Sequence, residues 1–72
     1  MTNVSILKGK IVEKNVTQEA VADDIGMDRS TFYRKMKNEG KQFTVEEIQK
    51  LRKILELSND DIIKIFFTQE VA

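Results

Sequence analysis

The sequence repeats one short pattern four times: an apolar residue, a residue that can cap a helix, and a second apolar residue four positions after the cap. A Ser, Thr or Asp side chain accepts a free amide hydrogen of the first helical turn, and the two apolar residues close over that turn as a hydrophobic staple. The four sets are Val16-Thr17-Val21, Met27-Asp28-Phe32, Phe43-Thr44-Ile48 and Leu57-Ser58-Ile62. Four helix starts in 72 residues without a single proline favour an all-helical fold.

Apolar residues recur three and four positions apart in five segments, which is the spacing of one face of a helix. The predicted helices cover about 4–14, 18–24, 29–37, 45–56 and 59–67. The predicted core positions are Val4, Leu7, Ile11, Val21, Ile25, Phe32, Met36, Ile48, Leu51, Leu55, Ile62, Ile65 and Phe66. We therefore predict an all-α, five-helix domain over 1–72, with a polar loop over 38–43 and a frayed tail over 68–72.

Local signals refine three of the predicted helix boundaries. Thr44 and Glu47 have the spacing of a capping box, and Ser58 with Asp61 is a weaker acidic version of it. Gly26 stands where the chain leaves the second helix and enters the third within three residues. Glycine takes a positive φ there without a Cβ clash, so we expect a tight turn at this position.

The composition disfavours an enzyme. Cysteine and histidine are both absent, so thiolate chemistry, imidazole bases and the commonest metal ligands are not available. Adjacent carboxylates diverge by about 100° around a helix and cannot converge on one substrate. Such pairs are Asp23-Asp24, Glu46-Glu47 and Asp60-Asp61. We expect no catalysis, no cofactor, no metal and no small-molecule ligand. No segment is apolar enough to be a signal peptide or a membrane span, so we also expect a cytoplasmic protein.

The charges sum to zero but are unevenly placed along the chain. Residues 13–28 carry Lys14 against five acids, a balance of −4, and residues 29–41 carry five cations against Glu39, a balance of +4. An acidic second helix therefore precedes a basic third helix. Packing of the two would hold opposite charges side by side.

The segment 17–37 resembles the helix-turn-helix of Cro/CI-type regulators of temperate phages. The resemblance is carried by Thr17-Gln18-Glu19, Ile25-Gly26-Met27 and the run Arg29-Ser30-Thr31-Phe32-Tyr33-Arg34-Lys35, and it extends over 4–67. Within that family the chain looks most like the modulators of repression, the small anti-repressors of lactococcal temperate phages. The resemblance implies that the protein has a Cro/CI-like fold and acts in a bacterial host cell. It also implies that Gln18 holds a DNA phosphate and that the third helix lies in the major groove.

One hypothesis is direct reading of operator DNA by helix 29–37. Arginine can donate to guanine edges, while lysine and hydroxyl groups can bind the phosphate backbone. The candidate DNA-binding residues are Gln18, Arg29, Ser30, Thr31, Tyr33, Arg34, Lys35 and Lys37. Against this hypothesis stands the zero net charge, because non-specific affinity for DNA comes from neutralised phosphates. A basic helix can also be simply a solvated face.

A second hypothesis is that the same segment binds a CI-type phage repressor and blocks or alters its DNA binding. Acids would then face the basic residues of the repressor and imitate phosphate; these are Glu19, Asp23, Asp24 and Asp28. They can instead complement helix N-termini and neighbouring lysines, and Asp28 is an expected cap. We favour the repressor partner in a lysis–lysogeny switch, with autonomous Cro-like operator binding as the alternative. A complex of both proteins on operator DNA stays open.

Apolar residues also lie outside the predicted core stripe at Ile6 and Val12 in the first helix, and at Ile63 and Phe67 in the fifth. In a chain this small, such residues are expected to deepen the core. The alternative is an apolar interface, in which Ile63 and Phe67 contact a second copy or a partner.

Overall fold

A computed structural model describes residues 3–37 and 43–67. Over these ranges the chain forms five α-helices and no strand, which confirms the predicted all-α, five-helix domain. The helices are α1 Val4–Glu13, α2 Gln18–Asp24, α3 Arg29–Met36, α4 Val45–Leu55 and α5 Asn59–Phe66. All five begin where predicted, and all but α2 end one residue earlier. The predicted loop over 38–43, except Phe43, and the predicted tail over 68–72 lie outside the described residues. In the described part of the chain, no helix combines the length and apolarity needed to cross a membrane.

Each helix begins at a side chain that accepts an amide hydrogen of its first turn. The four predicted caps Thr17, Asp28, Thr44 and Ser58 accept from the amides of Ala20, Thr31, Glu47 and Asp61. Both predicted capping boxes are confirmed, because Glu47 and Asp61 accept in return from the cap amides. Asn3 caps α1 by accepting from the amide of Ile6 at 3.2 Å. The repeated pattern did not reveal Asn3, because the residue before it is polar.

Three helices end in the same left-handed turn. Within 3–37 and 43–67, positive φ angles occur at Asn15 (58°), Gly26 (72°) and Glu56 (52°). The apolar residue that follows each of them donates its amide back into the last helical turn: Val16 to Ile11, Met27 to Ala22 and Leu57 to Arg52. These 6→1 bonds belong to the Schellman motif. The positive φ predicted at Gly26 is confirmed, whereas Asn15 and Glu56 were missed because neither is glycine.

The five helices enclose one apolar core. Its buried members are Leu7, Ile11, Val21, Ala22, Ile25, Phe32, Met36, Phe43, Leu51, Leu55, Leu57, Ile65 and Phe66. The remaining predicted core positions, Val4, Ile48 and Ile62, pack against it and are partly buried. The Phe43 ring meets Phe32 and Phe66 edge-on, with ring centroids 5.8 and 6.0 Å away. Phe43 therefore joins α3, the entrance of α4 and α5.

The expectation that the apolar residues outside the core stripes deepen the core is right for one of them and wrong for three. Ile6 packs against the core. Val12 on α1, Ile63 on α5 and Phe67 just after α5 are instead 72%, 58% and 60% exposed. These two helices contact each other, and the ammonium of Lys10 lies 3.4 Å from a carboxylate oxygen of Asp61.

The two described glycines should respond to alanine in opposite directions. In Gly26→Ala the new Cβ meets open space but the backbone stays at positive φ, so we expect a loss of about 1 kcal/mol in the free energy of unfolding. Gly9→Ala lies on α1 with equally open surroundings, so we expect a gain of about 0.5–1 kcal/mol. Urea unfolding of the wild type and both variants measures these changes. A shift in the same direction for both variants would contradict this account of the turn.

Candidate interaction surface on α2 and α3

The second and third helices pack directly against each other across the turn over 25–28. Val21 and Phe32 are fully buried between these helices and the rest of the core. On α2, Glu19 and Asp23 are four residues apart and share one face, as do Arg29 and Tyr33 on α3. The packing therefore brings an acidic face of α2 beside a basic and aromatic face of α3.

Asp23 and Arg29 form a bidentate ion pair across this junction. Nε of Arg29 donates to Oδ1 of Asp23 at 3.1 Å, and Nη2 donates to Oδ2 at 2.6 Å. The hydrogen bond from Arg29 lowers the pKa of the Asp23 carboxyl, and the same contact raises the pKa of Arg29. A residue predicted to read DNA and a residue predicted to bind a repressor thus neutralise each other.

A second contact lies one helical turn away. Interaction with the Tyr33 hydroxyl lowers the pKa of Glu19, and the pKa of Tyr33 is raised by the same neighbour. Tyr33 is partly buried and packs against the core. We call these four residues, Glu19, Asp23, Arg29 and Tyr33, the α2–α3 clasp. The clasp joins both predicted binding sets into one internally paired surface.

Lys35 does not belong to this surface. The residue is only 7% exposed. Its ammonium lies 2.7 Å from Oε1 of Glu47 and 5.7 Å from the centre of the Phe43 ring. Burial of Glu47 opposes its ionisation, but hydrogen bonds from Lys35 and the Thr44 amide outweigh burial and lower its pKa. We therefore exclude Lys35 from the candidate DNA contacts. The available signal was its place three residues after Phe32, beside the buried face of α3.

The other predicted residues divide between structural and exposed roles. The Asp28 carboxylate caps α3 by accepting from the amide of Thr31 at 3.3 Å, as expected, and Thr31 is partly buried. Gln18 is partly buried at the first position of α2. The remaining members are exposed and make no ion pair within the described parts of the chain: Asp24, Ser30, Arg34 and Lys37.

An open groove of about 380 Å³ borders the clasp between α1 and the start of α2. Ile11 and Val16 give it an apolar lining, and the exposed Val12 stands at its edge. Glu19 and Tyr33 line both the groove and the clasp, so the two form one continuous surface. The sequence did not reveal the groove, because the groove depends on how α1 packs. The signal in the sequence was the position of Val12 outside the predicted core stripe of the first helix. Ile63 on α5 and Phe67, the residue just after it, line neither feature.

A family model described as "Protein of unknown function (DUF739)" matches residues 2–69. The chain belongs to the DUF739 family. Comparisons with curated proteins and with solved structures found no match.

The partly buried ion pair of Lys35 and Glu47 should stabilise the fold. Glu47→Gln removes the charge that faces the Lys35 ammonium, so we expect a loss of about 1–2 kcal/mol in the free energy of unfolding at pH 7. Because folding lowers the pKa of Glu47, its contribution is present above the ordinary value of 4.5 and fades as pH falls through the folded-state pKa. Urea unfolding at several pH values should show the difference shrinking in acid. Glu46→Gln, an exposed control on the same turn that pairs with Lys50 at 3.4 Å, should change little.

Proposed function

We propose that this protein is a helix-turn-helix regulator of a phage lysis–lysogeny switch, which binds a CI-type repressor and blocks or alters the repressor's DNA binding. In this proposal α2 and α3 are the helix-turn-helix. The observation that carries it is the bidentate pairing of Arg29 with Asp23. That pairing occupies the first arginine of the helix that would otherwise read DNA.

The charge balance of the surface supports a protein partner over DNA. Lys35 is paired internally with Glu47, so it adds no free charge. What remains on α2, the turn and α3 is four acids against three cations: Glu19, Asp23, Asp24 and Asp28 against Arg29, Arg34 and Lys37. DNA presents only negative phosphates and favours a strongly basic face. A mixed face of nearly zero charge suits the mixed side chains of a protein.

The surface also offers the two kinds of contact that a protein interface combines. The groove beside Val12 supplies apolar area, which provides most of the affinity, while nearby charges set the rate and register of association. The hypothesis that acids of α2 imitate DNA phosphates toward the repressor now applies to fewer residues, because Asp23 is paired with Arg29. Asp24 is exposed and outside the clasp, so it is the acid of α2 best placed to meet a cation of the repressor.

Autonomous reading of operator DNA is the second candidate function. It is favoured by Ser30, Arg34 and Lys37, which are exposed along α3. Gln18 at the first position of α2 suits a phosphate contact in such a complex. This candidate requires the remaining cations to supply the affinity that Arg29 does not.

A gel-shift experiment separates the two candidates. The protein alone should not shift an operator fragment at roughly micromolar concentration in moderate salt, because a neutral surface neutralises few phosphates. Added to a CI-type repressor, it should change or abolish the repressor's shift. A specific shift by the protein alone, with no effect on the repressor, would favour the Cro-like alternative and refute the proposed function.

A variant in the groove tests where the repressor docks. Val12→Gln should weaken repressor binding roughly fivefold, because an interface residue contributes on the order of 1 kcal/mol. Val45→Gln is the matched control, since Val45 is 71% exposed but lies at the start of α4, away from the groove. Titration calorimetry measures both affinities. If Phe67→Gln weakens binding and Val12→Gln does not, the repressor docks on the apolar face of α5 instead.

A further inference from the structure

The guanidinium of Arg29 is exposed at the surface, yet the two parallel donors of one of its edges, Nε and Nη2, are already bound within the chain. We propose that Asp23 is a specificity determinant: by holding Arg29, it keeps α3 from binding DNA on its own. The proposal rests on α2 and α3 acting as a helix-turn-helix, as in the proposed function. It adds that this protein carries a latent affinity for DNA, which one carboxylate suppresses.

The hydrogen-bond geometry supports this role. A phosphate or a guanine edge is bound through two parallel donors of the guanidinium fork. In this protein Nε and Nη2 of Arg29 both point to the Asp23 carboxylate, at 3.1 and 2.6 Å. A DNA phosphate would have to displace the Asp23 carboxylate, or approach the remaining donors of Arg29 next to that carboxylate, whose negative charge repels it.

The electrostatics act in the same direction. Affinity for DNA rises with the number of phosphates that a protein neutralises, because each one releases a condensed counterion. The paired charges of Asp23 and Arg29 sum to zero, so this arginine neutralises no phosphate while the pair is intact. The two side chains are 54% and 57% exposed. The pair is therefore accessible enough that its removal should change binding without disturbing the core.

Three variants of the full chain test the proposal. Asp23→Ala releases Arg29. Glu46→Ala is the matched control, because it also removes one exposed acid from an ion pair, here with Lys50 at 3.4 Å, and changes the net charge equally. The double variant Asp23→Ala/Arg29→Ala removes the released arginine. The probe is a fluorescein-labelled DNA duplex of random sequence, titrated by fluorescence anisotropy at several salt concentrations, with circular dichroism to verify the fold.

One additional phosphate contact has a defined signature. Asp23→Ala should bind the duplex roughly tenfold more tightly than the wild type near 50 mM salt, and its plot of log K against log salt should be steeper by about 0.9. Glu46→Ala should keep the wild-type slope. The double variant should return to the wild-type affinity or below it.

Two outcomes would overturn the proposal: equal slopes for Asp23→Ala and Glu46→Ala, or full retention of the gain in the double variant. The first would show that only net charge matters, and the second that Arg29 is not the released group. No repressor is present in this assay, so its result is independent of repressor binding. A DNA gain in Asp23→Ala together with a wild type that ignores the repressor would refute the proposed function and leave this inference standing.

Discussion

The ring of Phe43 holds the arrangement of the helices together. It meets Phe32 of α3 and Phe66 of α5 edge-on, and it lies immediately before the cap of α4. The Lys35 ammonium sits over the same ring and reaches Glu47, the residue that completes the capping box of α4. One aromatic side chain thus ties α3 to α4 and α5. This attachment fixes which side of α3 faces outward, and so places Arg29 and Tyr33 beside α2.

The α2–α3 clasp on that outer side pairs charges that are separated along the chain. Along the chain, an acidic segment is followed by a basic one, which suggests two surfaces for two different partners. In the folded protein, Asp23 binds Arg29 and Glu19 approaches Tyr33, so the opposite charges lie within one surface and largely cancel. The groove beside Val12 adds apolar area to it. This combination supports our proposal that the surface binds another protein rather than the phosphates of DNA.

The helix starts were predictable because the cap and its staple are local: a few residues contain the whole hydrogen-bonding pattern. The helix ends were less predictable. Asn15 and Glu56 adopt the left-handed conformation without being glycine, and only the backbone bonds around them reveal the turn. The sequence also predicted which residues belong to the candidate site, since Arg29 was a candidate DNA-binding residue and Asp23 a candidate repressor-binding residue. Their pairing was not, because it depends on the packing of α2 against α3.

By itself, the sequence determined the number, order and starting residues of the helices and most of the core, because these follow from contacts within one or two helical turns. Only the tertiary structure decided which charged and apolar side chains remain available at the surface. Lys35 is drawn inward by Phe43 and Glu47, whereas Val12 and Phe67 remain outside. The physical reason is that a side chain's partner is set by the packing of separate helices, and the spacing of residues along one helix does not contain that information.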